Sequence, residues 1–574
     1  MFEYDFDLNN NMTKFAALTP HGSNVTQYTY GADNLPELST FSNGKKLAYS
    51  FDTVCLPKSV EINTTTPIKT EYTYFKLIGT DFNRLTDVVR TEKSGAFNYR
   101  YKYNKNYSIT EILETVTDEN NVSTESVIEN YTYDALDQLT QAVDYKHNKK
   151  YVYTYDSSGN ITEEKIYDIS GSSEVLSKTN TYSYDDASWG DLLTAYNGQA
   201  ITYDEIGNPL TYRDGITFSW SNGRRLDSYT KNGETVSYTY DTDGMRLTKK
   251  IGNTNYTYLY NEGLLVQETR GDEIFDYSYD ANGSIRMLKY RAIESATPTY
   301  YYYALNSRND VVGLYNSSGA VCAKYTYDPW GNITSVTNAS GTAITDTNNI
   351  AHTQPFRYRS YYYDTDSKFY YLQSRYYDPL THRFINADGL VSTGTSVLGF
   401  NMFAYCDNNP VNFTDSSGNY PTYSGILWNG STFSKVPAHQ LGYLGQIKKY
   451  WQDNDTNVAS FSKKATNRRD TGLRDYTDDE IQQKARDKSL SGKERRRFVE
   501  EEKVRGLRNK QKRHSNFSLE TAFKVAYGTA IVVSTAIAIV WVVGNDATGI
   551  GVTDDALLIP LTAAFYKGST MLLI

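Results

Sequence analysis

Tyrosines standing two apart, each pair running into an aspartate, constrain this chain more than anything else in it. Tyr131 and Tyr133 precede Asp134, Tyr153 and Tyr155 precede Asp156, and Tyr238 and Tyr240 precede Asp241. The pattern returns at Tyr277 and Tyr279 before Asp280, and at Tyr325 and Tyr327 before Asp328. A spacing of two puts both rings on one face of a β-strand and on no single face of a helix. The residues after each aspartate, such as Ser157-Ser158-Gly159-Asn160, supply positive backbone dihedrals and local side-chain hydrogen bonds. Each unit therefore reads strand, turn, strand.

One hairpin cannot bury an aromatic face alone, so successive hairpins must lie edge to edge. Cross-strand aromatic pairs then contribute roughly 0.2–1 kcal/mol each, and the chain holds 54 tyrosines with which to make them. The aspartates are unevenly spaced: Asp134, Asp156, Asp185, Asp204 and Asp241. An even period would indicate a solenoid or propeller, whereas this drift fits a long sheet with loops of varying length. A phenol packs its ring and gives its hydroxyl to water, so a wide, partly hydrated interior is expected.

A second feature lies between Tyr358 and Asn419. It reads YRSYYYDTDSKFYYLQSRYYDPLTHRFINADGL, then a spacer, then NMFAYCDNNPVNFTDSSGN. With its fixed Tyr, Arg, Asp-Pro and Asn-Pro positions, this stretch resembles the core motif that closes the repeat region of Rhs (YD-repeat) proteins. It is also similar to the C subunits of Tc toxins. The resemblance implies a mainly β fold, a YD-repeat β-hairpin shell forming a partial cocoon around a separate C-terminal polypeptide, usually a toxin. On that basis residues 1–300 are the repeats and 301–419 the Rhs core.

Many members of that family cut themselves after a second DPxGL-type element, by aspartyl chemistry in which paired carboxylates act as base and acid. The corresponding element here is Asp415-Ser416-Ser417-Gly418-Asn419, which puts the scissile bond at Asn419–Tyr420. The earlier element of the pair matches Asp388-Gly389-Leu390. Ser416 replaces the family's proline and Asn419 its leucine. The second acid is Asp388 or Asp407, and Arg383, five residues before Asp388, is a further candidate. The alternative is that Asp415 and Gly418 only form the last turn of the core. Arg357, Arg359, Arg375 and Arg383 read first as structural partners of Asp364, Asp378 and Asp388, because buried charges must be paired.

After Asn419 the composition changes. Residues 463–513 carry 18 Lys and Arg against 10 Asp and Glu, in a chain whose net charge is −9. Thr477 with Glu480 and Ser491 with Glu494 have capping-box spacing, so 420–518 is expected to be a variable, basic, helical region. Residues 519–574 contain two apolar stretches, 525–543 and 556–574, with Pro560 and Lys567 interrupting the second. These predict an apolar helical hairpin, either inserted in a membrane or buried in protein. His439 and His514 are the only histidines of the tail, and it has no cysteine, so neither a metal nor another cofactor is expected. A metal-independent nuclease built on those histidines is the alternative effector.

Three cysteines, Cys55, Cys322 and Cys406, form no disulfide framework. Met1 opens into FEYDFDLNNN, which lacks the basic and apolar segments of a secretory signal, so the N-terminus reads as an internal starting point of a longer protein. The expected function is delivery of a C-terminal effector in competition between bacteria or against a host. The chain would then be secreted or at the bacterial surface, with a cognate immunity protein as partner and the membrane or nucleic acid as target. The runner-up is an adhesive or carbohydrate-binding surface protein, since YD repeats also occur in the adhesive teneurins.

Overall fold

The computed structural model describes residues 1–428 apart from 53–54, 77–82, 94, 118–121, 390–396, 420 and 424–426. They belong to one compact unit. The helical and apolar segments expected at 420–518 and 519–574 lie outside the described residues, save for the short strands noted below. Among the described residues no helix is long and apolar enough to cross a membrane.

The architecture is mainly β, as the tyrosine spacing requires. Strands pair antiparallel with their sequence neighbours in two long sheets of 18 and 14 strands. The second sheet runs from Thr202–Tyr203 to Ile333–Thr337. A small four-stranded sheet comes next, made of Tyr362–Asp364, Phe369–Tyr371, Tyr376–Asp378 and Arg383–Phe384.

The turn chemistry is local and repeated. In Asp156–Asn160 the Asp156 Oδ1 accepts from the N–H of Ser158 at 2.8 Å and of Asn160 at 2.9 Å, while Oδ2 accepts from Asn160 Nδ2 at 2.9 Å. Gly159 takes φ +77°, where a side chain would be strained. Asp204, Asp241, Asp280 and Asp328 grip the N–H four residues on in the same way.

The tyrosine hydroxyls do not go to water as expected from the phenol's amphipathic character. In the five Tyr-x-Tyr pairs the second tyrosine donates to a backbone carbonyl one hairpin earlier: Tyr133 to Ile109, Tyr155 to Leu139, Tyr240 to Leu226, Tyr279 to Leu265 and Tyr327 to Val311, at 2.5–2.9 Å. Each unit is thus locked to its predecessor by side chain as well as by the ladder. The physical reason is burial: a carbonyl at a strand start, shut away from water, needs a donor, and the phenol reaches it.

Both faces of the later strands are covered. On one face the N-terminal hairpins pack back: Phe15, Ala17 and Tyr28 meet Val266 and Ala281, and Asn24 Nδ2 donates to the Tyr277 carbonyl at 2.9 Å. On the other face sits the small sheet, with Phe356 edge-on to Tyr277 at 5.0 Å and Tyr362 edge-on to Tyr258 at 5.7 Å.

Charges staple that sheet to the repeats. Arg246 Nη1 lies 2.6 Å from Asp364 Oδ2, both side chains fully buried, and Lys249 reaches Asp364 Oδ1 at 2.7 Å. Arg213 Nε meets Asp378 at 2.7 Å. The expected pairing within the motif therefore holds for Arg375 with Asp388, whereas Asp364 and Asp378 are neutralised from the repeat strands. Arg357 donates to the carbonyls of Phe356, Ala351 and His352.

Candidate functional site

The segment Asp415–Asn419 forms another turn of the repeat type. The N–H of Asn419 donates to Asp415 Oδ1 at 3.1 Å, and Gly418 takes φ +71°. The strands Phe413–Thr414 and Thr422–Tyr423 flank it as an antiparallel pair. Further on, Leu427 pairs with Arg84, so the chain beyond the turn adds to the first long sheet.

What sets this turn apart is its surroundings. Asp415 is buried, and its own N–H donates to the Tyr361 hydroxyl at 2.7 Å. Ser374 donates from both N–H and Oγ to the Ser417 carbonyl, at 3.2 and 2.6 Å. Arg375 reaches in from the strand start: its Nη2 lies 2.8 Å from Asp388 Oδ2 and 3.8 Å from Asp415 Oδ2, and its Nε donates to the Gly418 carbonyl. The ring of Phe384 lies under the guanidinium at 3.6 Å, holding it in plane.

Burial pushes the Asp415 carboxyl up to about 6, against the pull of Arg375 and of the backbone N–H groups of Asn419, Gly418 and Ser417. Burial likewise draws Arg375 below its usual value, opposed by Asp388 and Asp415. An acid poised near neutrality beside a fixed cation can both give and take a proton. The peptide these contacts engage is Gly418–Asn419: Arg375 holds its carbonyl oxygen and Asp415 its N–H. That is one residue before the Asn419–Tyr420 bond, and Tyr420 lies outside the described residues.

Of the other sequence candidates, Asp388 joins Asp415 through Arg375, whereas Asp407 and Arg383 stand elsewhere. Asp407 is half-buried at φ 50°, and burial raises its carboxyl, which has no hydrogen bond or ion pair among the described residues. Arg383 points into the repeats, donating to Asn160 Oδ1, the Tyr184 hydroxyl and the Asp191 carbonyl. Sequence alone casts Arg375 only as a structural partner, because no spacing rule links it to a turn forty residues on. Among the described residues no group of three or more His, Cys, Asp or Glu is placed to hold a metal ion.

The family described as Teneurin YD-shell matches residues 82–411. The tRNA3(Ser)-specific nuclease WapA of Bacillus spizizenii is 32% identical over 291 residues, which cover 49% of this chain and 12% of that protein. Double-stranded DNA deaminase toxin A of Burkholderia cenocepacia is 24% identical over 338 residues, 51% of this chain and 22% of that protein. The match thus spans a small part of these curated relatives. Among solved structures, the crystal structure of TcdB2-TccC3-Cdc42 superposes with a TM-score of 0.51 at 17% identity, covering 72% of this chain and 23% of that one.

Proposed function

The chain belongs to the Teneurin YD-shell family, as an Rhs/YD-repeat protein, and from that premise we propose that it is a toxin shell that delivers a C-terminal effector and frees it by cutting its own backbone in the Asp415–Asn419 turn. The observation that carries this is Arg375, whose guanidinium joins Asp388, Asp415 and the Gly418 carbonyl. In the step, water attacks the carbonyl carbon polarised by Arg375, and its proton passes to Asp388. The protonated Asp415 gives its proton to the departing nitrogen as the C–N bond breaks, leaving a carboxyl and a free amine. Applied to the engaged peptide this yields a fragment beginning at Asn419; applied one residue on, at Asn419–Tyr420, it yields one beginning at Tyr420.

The relatives' activities, a tRNA nuclease and a DNA deaminase toxin, support a toxin cargo, and with it a neighbouring immunity protein. For the cargo we propose membrane damage through the uncharged stretch 525–543; a nuclease acting through His439 and His514 is the second reading, favoured by the WapA likeness. Intact-mass analysis of the purified full chain tests the release. Two fragments, with Asp415→Asn leaving one, support it; a wild-type chain still whole after long incubation overturns it. Growth arrest with loss of membrane potential, relieved by Val533→Asp, supports membrane damage, whereas loss of tRNA relieved by His514→Ala supports the nuclease.

A further inference from the structure

Lys249 is buried between two carboxylates: its Nζ lies 2.7 Å from Asp364 Oδ1 and 2.7 Å from Asp366 Oδ1. We propose that Lys249 and Asp366 condense into an amide, a covalent staple between the repeat strand Arg246–Ile251 and the turn that joins Tyr362–Asp364 to Phe369–Tyr371. The bond is independent of the proposed function: it uses none of the groups at the Asp415 turn and stands whether or not the chain cuts itself.

In water an ammonium and a carboxylate do not condense, because the amine keeps its extra proton and solvent competes for the carboxyl. Burial and fixed contact change both conditions. The side chains of Lys249 and Asp364 are shut away from solvent, and the ring of Tyr256 covers the ammonium at 4.8 Å. Groups held so closely react as if present at about 10⁵ M or more. The resting state is ionic: burial pulls the Lys249 ammonium down, and Asp364 and Asp366 more than offset it. Each charge is nevertheless stabilised by the other rather than by water. The proton that separates this ion pair from an amine and an acid has only 2.7 Å to travel.

The two acids have different partners. Asp364 also takes Arg246 Nη1 at 2.6 Å, and a carboxylate pinned by a guanidinium stays charged, which makes it a base and a proton carrier. Asp366 has no second cation among the described residues. Instead the Tyr229 hydroxyl donates to its Oδ2 at 2.6 Å, drawing electrons from the carbon to be attacked. The Asp366 side chain is 17% exposed, against 0% for Asp364, so the released water has a way out.

The step balances without any co-reactant. One ammonium proton passes to Asp366, and the amine attacks its Cγ. As the N–C bond forms, Asp364 takes a second proton from the nitrogen and returns it to the departing hydroxyl, so the C–O bond breaks and water leaves. One positive and one negative charge are consumed, and Asp364 ends ionised on Arg246 as it began. The product ties together two segments 117 residues apart, in a chain whose three cysteines are free.

Tryptic mapping of the denatured full chain by mass spectrometry tests the bond. We expect Leu247–Lys250 joined to Ser360–Lys368, one water lighter than the two peptides together, with fragment ions placing the link at Asp366. Lys249→Arg keeps a cation there but no reactive amine, and should give the two segments unlinked. Asp364→Asn keeps both reacting groups and should slow linkage about 100-fold, the share of a proton carrier. Unlinked peptides from wild-type protein after long incubation, or a link to Asp364, would overturn the proposal, as would equal rates in wild type and Asp364→Asn.

Discussion

Arg375 Nη2 lies 2.8 Å from Asp388 Oδ2 while the same side chain's Nε donates to the Gly418 carbonyl. A cation so placed fixes an acid and polarises a peptide at once. Arg375→Ala removes both effects, so self-cleavage should fall about 100-fold or more, as when an oxyanion donor is lost. Arg375→Lys keeps the charge but not the fork, and should rescue only part of the rate. Fragment yield over time by mass spectrometry decides it, and equal rates in all three proteins would show that Arg375 is only a structural cation.

The pH dependence of cleavage is set by Asp415. Its carboxyl, pushed up to about 6, must be protonated to serve the departing nitrogen. Cleavage should therefore slow as pH rises through about 6. A rate rising through that point would assign Asp415 the base role instead.

Gly418→Ala places a Cβ 2.7 Å from the Leu372 carbonyl oxygen, at φ +71°. Gly271 has a similar φ of +58° and open space, so its alanine variant costs about 1 kcal/mol of backbone strain and no more. Urea denaturation should show Gly418→Ala at least twice as destabilised, with cleavage lost. Similar losses at the two sites would mean that the turn relaxes freely.

Glu164 offers a stability test remote from the turn. Burial raises its carboxyl from 4.5 to about 8, and Asn180 Nδ2 at 2.6 Å only partly offsets this. Because the folded value is the higher one, its contribution is complete below about 4.5 and is lost as pH rises toward 8. The slope is about 1.4 kcal/mol per pH unit for a single group. Glu164→Gln should thus gain on the wild type between about pH 5 and pH 8 in urea melts, and a constant difference would refute the shift.

Two tyrosines of one repeat separate ring from hydroxyl. Tyr155 donates to the Leu139 carbonyl at 2.5 Å, whereas the buried Tyr153 hydroxyl has no hydrogen-bond partner among the described residues. Tyr155→Phe should cost about 1 kcal/mol and Tyr153→Phe nothing, or even stabilise. Chemical denaturation of both variants checks the inter-hairpin lock, which equal effects would remove.

Much of the fold was legible because its determinants are local. The Tyr153-Thr154-Tyr155-Asp156 alternation fixes a strand and its buried face, and Asp156 with Gly159 and Asn160 closes a turn within five residues. The same grammar let Asp415–Asn419 be read as a turn, and the resemblance to the Rhs core motif let it be read as a site. Neither reading could be chosen from sequence, because the bond that closes the turn, Asn419 N–H to Asp415 Oδ1, is the one that closes the turns at Asp156, Asp204 and Asp328.

The sequence by itself determined the strands and the turns, since period-two burial and Asx hydrogen bonding act over a few residues. Tertiary structure alone decided the partners. Asp364 is neutralised by Arg246, 118 residues away, rather than by the arginines beside it. Tyr155 spends its hydroxyl on a carbonyl of the previous hairpin, and Arg375, not Arg383, meets Asp415. A charge or a hydroxyl carries no record along the chain of which opposite group will face it. That is settled only when the sheets stack and every buried polar group must find the partner within reach.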